Sequence, residues 1–249
     1  MKHLIFAIAV GLAISAICAD GQPRKPNPLE ALKARRGLKS RPAGGYVIKK
    51  YDDAIIAIRD GQSVYKAEEV ESVVHEMRLG MGLPVFRLSP EGKHDKIGAE
   101  VELVDELSLG KGKSVVAAPE ESWARMSVRR LVADSPDQDK RMRRLRVELF
   151  RAIMMSMGVG VSFYQPCLMT PVRSLADIDA VRAERWTPYT EGSFDTVKSK
   201  FGISRVFVMP YRTACKQGWA PKPVDDEQKK IWDEIMTIPE TPITIEKTK

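Results

Sequence analysis

One long amphipathic helix, predicted between Ser135 and Gly158, constrains the fold of this chain more than any other feature. Ser135-Pro136-Asp137-Gln138 supplies an N-cap, a proline at the first helical position and a capping-box glutamine. Apolar side chains then recur at helical spacing on one face, and Gly158 supplies the stop. The face is traced by Met142, Leu145, Leu149, Ile153 and Ser156. We therefore predict a helix of about 22 residues here.

Strands and helices alternate on both sides of this helix. The apolar patterns predict strands over 54–58, 83–88, 115–118, 123–131 and 206–209, and helices over 63–81, 97–107, 175–182 and 225–236. The rest of 170–200 is predicted to be rich in loops. This alternation predicts an α/β (α+β) domain built on a mixed sheet.

The first 45 residues are predicted to lie outside that domain. Met1-Lys2-His3, an apolar stretch from Leu4 to Ala16 and small residues up to Ala19 are typical of a secretory signal peptide, cleaved near Ala19. A lipoprotein anchored through Cys18 is disfavoured, because Ile17 stands where a small residue is needed. Residues 20–45 hold four prolines, four glycines and seven basic residues, which predicts a basic flexible arm. We expect export, to the periplasm or out of the cell.

Composition excludes several classes of protein. The mean hydropathy is −0.25, and no apolar run after the leader approaches the roughly 18 residues of a membrane span. Only His75 and His94 remain once His3 is removed with the leader, so the mature chain cannot build a three-histidine zinc site. The net charge of +7 would permit nucleic-acid binding, but export argues against it. Cys167 and Cys215 could form a disulfide or remain two buried thiols.

The segment from Arg151 to Thr190 carries the spacing that indicates a function. Gly158 is followed by Cys167-Leu168-Met169 and, after seventeen further residues, by Thr187-Pro188-Tyr189-Thr190. This frame resembles the archaemetzincin family of zinc peptidases, whose signature is H-E-x-x-H-x-x-G-x-x-H-C, four residues, C-x-M, seventeen residues and C-x-x-C. Ser174-Leu175-Ala176-Asp177-Ile178-Asp179 and Trp186-Thr187-Pro188 also resemble that family.

The resemblance implies two zinc sites whose ligands this chain has lost. In the family, three histidines hold a catalytic zinc, a glutamate activates its water, and four cysteines hold a structural zinc. The histidine and glutamate positions hold Arg151, Ala152, Met155 and Val161, and three cysteine positions hold Ser162, Thr187 and Thr190. Only Gly158, Cys167 and Met169 match. We therefore expect no catalytic residue, no metal and no cofactor.

The resemblance also implies a metzincin-like architecture over 46–190, with the long helix in the active-site position. Residues 191–249 would form a C-terminal extension packed on the same domain. His75-Glu76 begins like a zincin helix, but Leu79 replaces the second histidine, so a surface pair is the simpler explanation.

A basic cluster lies on the long helix. It is either a solvated helix face or an anion-binding face, and its members are Lys140, Arg141, Arg143, Arg144 and Arg146.

Three functions remain open at this stage. The first is an exported non-catalytic pseudo-peptidase that binds an extended peptide or an acidic ligand in the former substrate cleft. The second is an active metallopeptidase or other hydrolase whose site lies elsewhere. The third is an envelope-associated structural protein held to anionic surfaces by its basic arm.

Overall fold

Two sheets and seven helices make up the part of the chain that the computed structural model describes, which is residues 42–110, 113–134, 137–163, 167–181 and 187–236. The strands are β1 (Tyr46–Ile48), β2 (Ile55–Asp60), β3 (Val85–Leu88), β4 (Ile97–Val104), β5 (Val115–Ala118), β6 (Trp123–Ser127) and β7 (Val208–Pro210). The helices are α1 (Ala67–Met81), α2 (Arg129–Val132), α3 (Gln138–Ser156), α4 (Leu175–Ala180), α5 (Pro188–Val197), α6 (Tyr211–Lys216) and α7 (Asp226–Met236).

The central sheet has five strands in the order β3-β2-β4-β6-β5. The first four strands are parallel, and β5 joins the edge antiparallel to β6. The sheet is therefore mixed, which confirms the predicted α/β class.

The two faces of this sheet differ in character. One face packs against α1 and α3 and supplies the main core, with Ile56, Val101 and Met126 fully buried. The alternate residues of β4 and β6, such as Glu102 and Arg125, point to the other face and are only half-buried. This alternation is typical of a sheet with one solvated face.

The connection between β3 and β4 crosses β2 on that second face. The Arg59 guanidinium donates hydrogen bonds to the backbone carbonyls of Pro90 and Gly92 in this connection. Because α1 already covers the first face of β2, the connection from β3 to β4 passes over the opposite, polar face of the sheet.

Helix α3 confirms the predicted long helix. Its N-cap is Asp137, whose side chain accepts a hydrogen bond from the Asp139 N–H at 3.0 Å. The predicted cap, Ser135, and Pro136 lie outside the described residues. Gly158 follows the last turn at φ +79°, a conformation that glycine adopts without steric cost, so the predicted stop is also confirmed.

Several element predictions are wrong. Residues 97–104 form β4 rather than a helix, because Ala99, Val101 and Leu103 alternate with polar residues and point inward. The strand predicted over 123–131 ends at Ser127, where α2 takes over. α4 confirms the short helix predicted near 175–182, but the rest of 170–200, predicted to be rich in loops, contains α5, and α6 was not predicted.

A second, smaller core forms where the two ends of the described chain meet. β1 pairs antiparallel with β7, and α6 and α7 pack beside them around Val47, Tyr211 and Ile231. Cys215 belongs to this core, whereas Cys167 belongs to the main one, and both are free, buried thiols. Among the described helices, none has the length and apolar character needed to cross a bilayer.

Candidate functional site

Arg151, which the sequence resemblance aligns with a first histidine, takes part in a buried ion pair. Its Nε lies 2.9 Å from Oε1 of Glu148, one turn earlier on α3, without the alignment of a directed hydrogen bond. Its Nη1 donates to the carbonyls of Leu168 at 2.9 Å and Thr170 at 2.5 Å. The Arg151 side chain is 6% exposed. The guanidinium thus ties α3 to the segment that carries Cys167 and Met169.

Glu148 is the buried counter-ion of this arginine. Its carboxylate is 1% exposed and accepts a hydrogen bond from Ser114 Oγ at 2.5 Å. Burial raises the pKa of the Glu148 carboxyl, although Arg151 and Ser114 act in the opposite direction. The charged form of Glu148 needs Arg151 as its counter-ion, because a buried charge without a partner destabilises the folded state.

The other positions that the resemblance aligns with catalytic residues hold apolar side chains. Ala152 is fully buried in the main core, Met155 packs partly buried against it, and Val161 is 44% exposed. Met169 is fully buried.

Four side chains that the sequence resemblance aligns with structural-zinc ligands lie close together. The Cys167 Sγ lies 3.6 Å from Thr187 Oγ1 and 3.8 Å from Thr190 Oγ1, and it interacts with the Ser162 hydroxyl. Burial raises the pKa of the Cys167 thiol, but hydrogen bonds from the Met169 N–H and these hydroxyls outweigh it, so its pKa lies below the ordinary value. We call Ser162, Cys167, Thr187 and Thr190 the hydroxyl–thiol cluster.

Neither set of residues fits zinc. A structural zinc site needs four thiolate or imidazole ligands, and the hydroxyl–thiol cluster offers one thiol. The first histidine position holds a guanidinium, which repels a cation and has no lone pair to donate. Among the described residues, no group of three or more His, Cys, Asp or Glu is placed to hold a metal ion.

Comparison with known proteins gives likenesses in structure alone. No protein-family model matches the chain, and no curated protein matches its sequence. The chain is similar to archaemetzincin from Methanopyrus kandleri, with 19% identity, a TM-score of 0.46, and coverage of 58% of this chain and 94% of that one. It is also similar to a zinc-dependent peptidase from Methanocorpusculum labreanum, with 14% identity, a TM-score of 0.45, and coverage of 56% and 99%. A third similar structure is archaemetzincin from Archaeoglobus fulgidus, with 14% identity, a TM-score of 0.44, and coverage of 56% and 98%.

We expect the hydroxyl–thiol cluster to bind zinc once its three hydroxyl residues become cysteines. A tetrahedron with zinc–sulfur bonds of about 2.3 Å has ligands about 3.8 Å apart, close to the 3.6 and 3.8 Å measured around Cys167. The variant Ser162→Cys/Thr187→Cys/Thr190→Cys should hold about one zinc per chain by elemental analysis. The same variant with Cys167→Ser is the control and should hold much less. Equal zinc in both would show that the cluster does not have this geometry.

The predicted basic cluster on α3 is largely engaged in internal contacts. Arg143 donates to the carbonyls of Ile178, Asp179 and Val181 at the end of α4. Arg144 is fully buried between carboxylates. The Arg146 Nε lies 2.7 Å from a carboxylate oxygen of Glu76. The Lys140 Nζ lies 3.2 Å from a carboxylate oxygen of Asp179. Glu76, beside His75 on α1, thus joins the two long helices. Anion binding by this face stays a prediction, with much of its charge already compensated.

β5 offers a sheet edge beside α3. The Ser127 N–H donates to the Ser114 carbonyl at 2.8 Å, so alternation in an antiparallel ladder turns the N–H and C=O groups of Val115 and Ala117 away from β6. Helix α3 packs against β5. The sequence analysis expects a peptide to bind between a sheet edge and the long helix, and that binding stays a prediction.

Sequence reasoning missed Glu148 and Ser114, which complete the buried pair. Glu148 stands three residues before Arg151, a spacing that places two side chains on one helix face and could have indicated the pair. Ser114 had no such signal, because its contact with Glu148 spans 34 residues.

Proposed function

We propose that this protein is a non-catalytic binding module that takes an extended peptide along β5. The observation that carries the proposal is the buried Arg151–Glu148 pair, which stands where the resemblance places the first zinc ligand. Without a metal-bound water or a general base at these positions, a peptide held in the cleft would be bound and released unchanged.

The outward backbone groups of β5 support the binding mode. A peptide that adds as a strand gains affinity from main-chain hydrogen bonds, and side chains of the receptor set its specificity. Val116, 36% exposed, and Ala117 present small apolar surface at this edge. An extended segment with apolar side chains is therefore the ligand class that fits.

Ala117→Pro should weaken this binding strongly. Proline removes the outward N–H of Ala117 but leaves the ladder to β6 intact, since residue 117 does not donate to β6. Heptapeptides would be selected from a phage-displayed random library on the full chain, and their dissociation constants measured by fluorescence polarisation. We expect at least tenfold weaker binding to Ala117→Pro. Ala117→Thr, which keeps the N–H, is the matched control and should change affinity less than threefold.

The same peptides distinguish binding from catalysis. Mass spectrometry after incubation with the protein, with and without added zinc, should recover them intact. Cleavage that a chelator abolishes would support the alternative of an active metallopeptidase, and equal affinity of Ala117→Pro and the parent would reject strand addition at β5.

Export belongs to this proposal as well. The leader, Met1 to Ala19, lies outside the described residues, so its sequence pattern alone supports secretion. N-terminal sequencing of the protein made in a secreting host should begin at Asp20.

A further inference from the structure

The second face of the central sheet forms a trough along β4. Two cavities, of about 390 and 770 Å³, adjoin each other there and share Glu100 in their linings. One end is lined by Trp123 and Glu121, and the other by Asp105 and Glu106. Pro90, from the crossover between β3 and β4, forms a side wall. Neither α1 nor α3 packs on this face.

Negative charge exceeds positive charge in the trough. Its carboxylates are Glu100, Glu102, Asp105, Glu106 and Glu121. Three guanidinium groups are paired with them: Arg59 with Glu100 at 3.0 Å, Arg125 with Glu102 at 2.9 Å and with Glu106 at 3.6 Å, and Arg129 with Asp105 at 3.9 Å. Five carboxylates against three guanidinium groups leave room for further cations.

Trp123 adds an aromatic surface to this charge. The Arg125 guanidinium lies 5.7 Å from the centroid of its ring, so the indole already takes part in one cation–π contact. Arginine is the side chain that combines best with a tryptophan face and a carboxylate together. The trough thus fits an extended, arginine-rich segment.

The chain itself supplies such a segment. Residues 20–41 contain seven Lys or Arg and two acidic residues, and so provide five of the seven net positive charges of the chain. Four of the seven are arginines, at positions 24, 35, 36 and 41. The rest of the chain is nearly neutral, which makes these residues the strongest basic feature of the sequence.

We propose that residues 20–41, the basic arm, bind in the trough on the second face of the sheet of the same chain. The 22 residues of the arm can span about 70 Å. Twelve residues link Pro42, where the arm ends, to the start of β2, so Pro42 lies at most about 40 Å from that strand. The arm is therefore long enough to reach the sheet. Tethering raises the effective concentration of the arm at the trough to the millimolar range, which favours it over a free basic peptide. This inference is independent of the proposed function.

Carbodiimide cross-linking of the full chain tests the proposal. The reagent joins lysine amines to carboxylates in direct contact, and mass spectrometry maps the joined peptides. We expect Lys25 or Lys39 of the arm to join trough carboxylates within one chain, and 0.5 M sodium chloride to suppress the products. Arm variant Lys33→Gln/Arg35→Gln/Arg36→Gln should reduce them at least fivefold. Control variant Lys216→Gln/Lys222→Gln/Lys230→Gln removes the same charge from exposed positions and should leave them unchanged.

Two further measurements separate the alternatives. Glu106→Gln/Glu121→Gln alters exposed trough residues, and it should lower the yield of the products at the remaining carboxylates at least threefold. A mixture of ¹⁵N-labelled and unlabelled chains distinguishes contacts within a chain from contacts between chains. Products found only between chains would assign the trough to a second copy and overturn the proposal. It would also be overturned by arm products spread evenly over acidic residues elsewhere, such as Asp226 and Glu227.

Discussion

Arg151→Met is expected to lower the free energy of unfolding by about 3–5 kcal/mol. The variant leaves the Glu148 carboxylate buried without its counter-ion, and it removes the donor to the carbonyls of Leu168 and Thr170. Urea unfolding of the full chain at pH 7, followed by circular dichroism, measures the loss.

A double variant separates the charge from the packing. Glu148→Leu/Arg151→Met replaces both ions with apolar side chains and should recover at least about 2 kcal/mol, because an apolar pair of similar volume is often as stable as a buried ion pair. A loss of less than about 1 kcal/mol in the single variant would contradict the arrangement described here.

The loss in free energy of unfolding caused by Arg151→Met should become smaller as the pH falls from 7 to 5. Burial raises the pKa of Glu148 in the folded protein, and removing Arg151 removes an effect that opposes that rise. A carboxyl with a raised folded pKa binds its proton more tightly in the folded state than in the unfolded chain, so folding gains stability as the pH falls through that pKa. Unfolding curves at both pH values check the sign.

Arg144→Met is expected to lower the free energy of unfolding by about 3 kcal/mol. The Arg144 side chain is fully buried and donates to both carboxylate oxygens of Asp179 at 2.7 Å, and also to Asp134 and the Leu131 carbonyl. It therefore joins α3 to α4 and to the end of α2. Its hydrogen bonds hold the pKa of the Asp179 carboxyl below its ordinary value.

Lys140→Met provides the control, because Lys140 also pairs with Asp179 but is 39% exposed. That substitution should cost less than about 1 kcal/mol. A group with a lowered folded pKa adds stability above its ordinary pKa and loses it as the pH falls. The difference between the parent and Arg144→Met should therefore diminish below about pH 4, and an unchanged difference at pH 3 would argue against the Asp179 pair.

Local signals explain what the sequence could predict. Helix α3 and its stop at Gly158 depend on residues within a few turns of each other, so cap, periodicity and glycine suffice. β4 was misread because Ile97, Val101 and Val104 also match helical spacing, and only the opposite environments of the sheet faces decide between the two patterns.

Contacts between residues far apart in the sequence are what sequence analysis could not predict. Arg144 and Arg146 look like members of a solvated face when α3 is considered by itself. Their counter-ions, Asp179 and Glu76, lie 35 and 70 residues away, and only the fold brings them together. The sequence predicts that Arg151 repels a cation, but the role of Arg151 as a cross-link depends on the carbonyls of Leu168 and Thr170, which no local pattern indicates.

The pairing of β1 with β7 sets an order of events during synthesis. Tyr46 meets Pro210 about 160 residues later in the chain, and closing so long a loop is unfavourable until other contacts have shortened it. During synthesis, β1 therefore stays unpaired until β7 has been made and the central sheet has brought the two strands together. We therefore expect the small core around Tyr211 to assemble after the central sheet, and amide hydrogens at Val47 to exchange before those of β2.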